Sequence, residues 1–89
     1  MQFFNPETAL LEALDKSDLR PFQKLRVRLA LRFRPEARTE MLGAVQMHCV
    51  MEGMVSESGE IEAAINWQDL IDSLVKLLPA ILQIISLFT

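Results

Sequence analysis

Eighty-nine residues, 51% hydrophobic and 24% charged, are too few for more than one domain and too apolar for a disordered chain. The net charge of −3 gives no overall pull toward nucleic acid, and the single cysteine excludes an internal disulfide and a cysteine-based zinc site. Leu, Ala, Met, Glu, Gln and Arg dominate, and these residues lose least entropy in a helix.

The opening stretch MQFFNPETALLEALDK has neither the basic leader nor the long apolar core of a secretory signal. It implies a cytoplasmic chain whose membrane association, if it has any, arises elsewhere. Asn5 is a cap, Pro6 suits the first helical position, and Glu7 follows in the first turn. Ala9, Leu10, Ala13 and Leu14 then share one face, so a helix is expected over Pro6–Lys16. Phe3 and Phe4 are placed to fold back on Leu10 or Leu11 as a staple, and Ser17 and Asp18 offer the next cap.

KLRVRLALRFR, 24–34, alternates like a half-buried strand. A strand needs a partner, however, and no other stretch alternates convincingly. The helical reading is therefore preferred. It makes Phe22, Leu25, Leu29 and Phe33 a buried stripe and Val27 and Leu31 a second apolar line, implying a central helix packed on two sides. The same region is basic, with Arg20, Lys24, Arg26, Arg28, Arg32, Arg34 and Arg38 opposed only by Glu36. Arg20, Lys24, Arg28 and Arg32 recur every four residues and are the candidate contacts to an anion or lipid phosphate. The alternative is a solvated face neutralised in part by Glu7, Glu12, Asp15 and Asp18. Nucleic acid is the least favoured partner, because no aromatic residues are spaced for base stacking and no recognition-helix signature occurs.

Pro35-Glu36 opens a helical pattern through Met41, Leu42, Val45 and Cys49 to about Val55, with Gly43 and Gly53 marking close contact or fraying. Met41, Met47, Met51 and Met54 lie in it. Such side chains are more often core filler than adaptable binding surface, but on so small and apolar a chain part of the helix is expected to meet another subunit. His48 and Glu52 stand four apart, a spacing that can hold a metal. Without a third ligand an ion pair or a satisfied histidine is the simpler reading. His48 and Cys49, as helical neighbours, point about 100° apart and make no nucleophile–base pair. With no phosphate-cradling glycine loop and no Ser/His/Asp set, no catalytic, cofactor or metal site is assigned, and the chain reads as a non-enzyme.

SESGE, 56–60, is the clearest loop and separates a helical body, 1–55, from an apolar segment, 61–89. A short helical turn is expected over 61–65, after which Asn66 caps a tail helix. In that tail Asp69, Asp72, Lys76, Pro79, Gln83 and Ser86 form one narrow polar stripe on an otherwise apolar cylinder. A bilayer span needs about 20 apolar residues, and the polar stripe breaks that run. The tail is thus enclosed by protein or lies along a membrane interface.

The expected structure is an all-α single domain, a small bundle of four to five helices with a mostly buried hydrophobic C-terminal helix. A chain of this size buries only some 60–65% of its unfolded surface. A protein–protein interaction or oligomerisation module is therefore expected, meeting a second copy or another protein through Met47, Met51, Met54, Leu74, Leu78, Ile81, Ile85 and Phe88. The alternative is a peripheral membrane protein, with the tail in the interface and the basic stretch 20–38 as a second, electrostatic signal.

Overall fold

The computed structural model describes residues 2–88. Among them are four helices, α1 (Pro6–Lys16), α2 (Pro21–Phe33), α3 (Pro35–Met51) and α4 (Trp67–Leu87), and no strand longer than an isolated bridge. The starts follow the local chemistry. The Asn5 side chain accepts from the Thr8 amide at 3.2 Å and that of Asn66 from the Gln68 amide at 2.8 Å. Proline occupies the first turn of α1, α2 and α3, where its missing N–H costs nothing.

Arg34 alone separates α2 from α3, and it is extended (φ −125°, ψ 90°), as a residue before proline prefers to be. α3 stops at Met51, short of the expected Val55. Gly53 takes a left-handed φ of 73°, its amide returns to the Val50 carbonyl at 3.0 Å, and the Met54 amide to that of Cys49 at 2.9 Å. This is a Schellman ending, for which glycine is the favoured residue.

The expected helical turn at 61–65 does not form. Val55 bridges Ile61, and Phe3 bridges Glu60, both antiparallel. The Phe4 amide donates to Gly59 O at 2.7 Å and the Ile61 amide to Gln2 O at 2.9 Å. Pairing with the extended N-terminal arm satisfies backbone groups that a single helical turn would leave open. The aromatic pair divides: Phe4 is buried and Phe3 is exposed.

Every helix sends one line of side chains into a common core. Ala9, Leu10, Ala13 and Leu14 come from α1, Ala37, Met41, Val45 and Cys49 from α3, and Leu70, Ile71, Leu74, Leu78, Ile81 and Ile85 from α4. α4 packs against all three other helices, and its polar stripe, Asp69 to Ser86, is exposed throughout. By length and composition α4 is the one described helix apolar enough to cross a bilayer. Here its six most buried side chains are enclosed by the chain itself, each contributing about 1.5–3 kcal/mol by leaving water.

α2 departs from expectation. Its buried residues are Val27, Ala30 and Leu31, whereas Phe22, Leu25, Leu29 and Phe33 are 69%, 48%, 45% and 66% exposed. The helix packs on one side, not two, and the larger apolar line is the open one. Two physical reasons favour this choice. The buried line carries smaller side chains, so α2 can approach its neighbours closely. The open line is bordered on both sides by arginine, and burying an unpaired guanidinium costs several kcal/mol.

Candidate functional site

The open face of α2 is a straight apolar ridge. The eleven residue steps from Phe22 to Phe33 make three turns with a drift of only about 20°, and set the two rings' Cα atoms about 16 Å apart. At 45–69% exposure the four side chains present on the order of 400 Å² of apolar surface. A contiguous patch of that size on a small monomer commonly marks a binding surface.

Helical geometry places Arg26 about 40° to one side of Phe22 and Arg32 about 80° to the other. The Arg32 guanidinium lies over the Phe33 ring, 5.4 Å from its centroid. The row of Arg20, Lys24, Arg28 and Arg32 does not act as one surface. Arg28 Nη2 donates to Asp15 Oδ1 at 2.5 Å, and Lys24 Nζ reaches the Asp15 carbonyl at 3.4 Å, so both turn toward α1. Arg34 Nη1 donates to the Phe88 carbonyl at 3.1 Å, and Arg38 is committed to Glu7. Arg20, Arg26 and Arg32 form no ion pair among the described residues. Arg26, which the four-residue row leaves out, is thus one of the cations beside the ridge.

Between α1, α2 and the start of α3 runs a groove of about 630 Å³ lined by Glu7, Leu11, Asp15, Arg28, Leu31, Arg32 and Arg38. Its charges are mostly used internally. The Arg38 guanidinium bound to Glu7 holds that carboxyl below the ordinary range, and the arginine's own value is raised by the same bond.

The expected interaction surface splits in two. Leu74, Leu78, Ile81 and Ile85 are at most 2% exposed and cannot meet a partner while the chain is folded, because the other helices enclose them. Met47 and Met51 are exposed, at 64% and 80%, and Met54 and Phe88 are half-buried. Phe88 lines a shallow depression with Phe33, Arg34, Pro35 and Glu36, extending the α2 ridge at one end.

His48 Nε2 lies 2.7 Å from Ser73 Oγ, a pairing hidden in the sequence because the two stand 25 residues apart on different helices. Its only sequence trace is a serine on the border of α4's buried face. The contact has the geometry of a nucleophile and base. No hydrogen bond orients the other ring nitrogen among the described residues; His48 lies in the last turn of α3 and Ser73 in the second turn of α4. The pair is a side-chain contact between α3 and α4. Among the described residues no group of three His, Cys, Asp or Glu side chains is placed to hold a metal. Cys49 is buried, and desolvation pushes its thiol up to about 11.

No known family model, curated protein or solved structure matches this chain.

Proposed function

We propose that this protein is a non-enzymatic interaction module that docks through the open face of α2. One observation carries the reading: the fold encloses the strongly apolar line of α4 yet leaves Phe22, Leu25, Leu29 and Phe33 outside. Exposed aromatic and leucine side chains in a continuous line are unfavourable in water, by about 25 cal/mol per Å², and a partner that covers them removes that cost. This reading moves the interaction role from the α3 methionines and the tail, where the sequence pattern had placed it, to α2.

The test uses two readouts on the full chain, mass by light scattering at micromolar concentration and co-sedimentation with phospholipid vesicles. The parent should show self-association or vesicle binding, and Leu25→Gln/Leu29→Gln should lose whichever is seen while melting like the parent. A parent that stays at 10.1 kDa and ignores vesicles, or an engagement untouched by the double substitution, overturns the reading.

A further inference from the structure

We infer that the surface covered by the α2 ridge is an anionic membrane, on which the helix lies with its axis in the plane of the interface. This rests on the reading of α2 as the docking face, and it differs from the sequence expectation in which the tail entered the lipid.

Charge is the first argument. From Leu19 to Pro35 the chain carries six cations and no acid, out of nine cations and twelve acids in total. Three cations and all twelve acids lie elsewhere, so the molecule is polarised, +6 against −9, around a net −3. An anionic surface is attracted by the α2 side and repelled by the rest, which selects one orientation. Glu36 stands at the edge of the patch, and Asp15 is already neutralised by Arg28.

The second argument is the arrangement of that charge. Arg26 and Arg32 border the ridge on opposite sides, so headgroup phosphates on both flanks are within reach when the ridge enters the acyl boundary. An apolar stripe edged by basic residues is the pattern of an interfacial helix. Phe22 and Phe33 at the two ends, with Leu25 and Leu29 between, lie on one line, so all four enter a flat interface together. Arg26 and Arg32 beside the ridge, with Arg20 at the start of the helix, then supply the second signal that stable attachment requires beside a modest apolar insertion.

Area and charge together disfavour a second copy. A stable protein interface covers about 800 Å² on each partner, roughly twice what the ridge offers. Two α2 ridges packed on each other would also bring arginine rows together, and like charges juxtaposed across an interface are costly. A membrane imposes neither requirement.

Vesicle flotation of the full chain decides it, using neutral phosphatidylcholine vesicles and vesicles containing 30% phosphatidylglycerol, at about 50 and 300 mM salt. Binding to the anionic vesicles is expected, weakened by salt and absent on neutral vesicles. Arg26→Gln/Arg32→Gln should weaken it about fivefold per arginine. Leu25→Gln/Leu29→Gln should abolish it, whereas Met47→Gln/Met51→Gln, on the outer face of α3, should bind like the parent. No binding to anionic vesicles at low salt, or binding that survives loss of the two leucines, overturns the inference. If at the same time the parent is a dimer that the leucine substitutions dissociate, the ridge docks protein and the broader reading of α2 stands.

Discussion

Arg38 holds Glu7 through both terminal nitrogens, at 2.6 and 2.8 Å, while its Nη1 also donates to the Leu31 carbonyl at 3.2 Å. One α3 side chain thus ties the first turn of α1 to the last turns of α2, and planar two-point geometry of this kind is among the stronger polar contacts. Because the Glu7 carboxyl titrates below its ordinary value, the pair's stabilisation is fully present above that value. It is lost as pH falls through the lowered one. Glu7→Gln should therefore be less stable than the parent at pH 7, with the difference closing in acid. Urea midpoints measured from pH 7 down to pH 2 check this, and a gap that stays constant contradicts it.

The register of α4 makes a second prediction. Gln83 is on the wet line and Ile81 and Ile85 are on the dry one. Gln83→Leu should change stability by no more than about 0.5 kcal/mol. Ile81→Asp or Ile85→Asp should cost several kcal/mol by burying an unpaired carboxylate, enough to unfold a domain of this size. Leu78→Ala should cost about 2–5 kcal/mol. Thermal melts in lipid-free buffer give the answer, and equal midpoints for Gln83→Leu and Ile85→Asp would rule out a structural role for the tail.

Pro79 sits inside α4 on its exposed side. It lacks the N–H that would bond the Val75 carbonyl, a cost of about 3 kcal/mol in a helix interior, offset by up to about 1 kcal/mol from a stiffer unfolded chain. Pro79→Ala should therefore stabilise the protein by roughly 2–2.5 kcal/mol, raising the melting temperature by about 8–20 °C. A lower melting temperature contradicts this.

Cys49 reports opening of the core. A thiol pushed up to about 11 is almost wholly protonated at pH 8, so disulfide exchange with a small aromatic reagent should be on the order of 100-fold slower than for a free thiol. Moderate urea should accelerate it by opening the helices. A native rate close to that of free cysteine means that α3 and α4 do not enclose it.

Local signals in this sequence were strong and told the truth. Asn5-Pro6, Pro35 and Asn66 each fix a helix start through side chains that act within four residues, and the polar stripe of α4 repeats often enough to identify its wet side. The α3 ending at Gly53 was less visible, since a glycine inside an apolar pattern reads equally as a contact or a stop. The bridges of Phe3 to Glu60 and Val55 to Ile61 depend on chain segments meeting across the fold, which no periodicity records. The face of α2 was ambiguous for a different reason. It bears apolar lines on both sides, and counting large residues favours the wrong one. The arginines at 26 and 32 and the small residue at 30 were the better guide, because they set the cost of burial and the closeness of approach. The tail leucines and isoleucines read as part of an interaction surface lie in the core, because an apolar surplus in the sequence does not say which helices will cover it.

Two leucines on one helix test the account most directly. Leu29 is 45% exposed and Leu31 is 4% exposed, two residues apart in α2. The same substitution at each, measured by urea denaturation of the full chain, asks which side of α2 is open. Leu29→Gln should stay within about 0.5 kcal/mol of the parent, while Leu31→Gln should cost about 2–5 kcal/mol from lost packing and a buried amide. Equal costs at both positions, or a greater cost at Leu29, would mean that the ridge belongs to the core and would remove the docking face on which the functional reading stands.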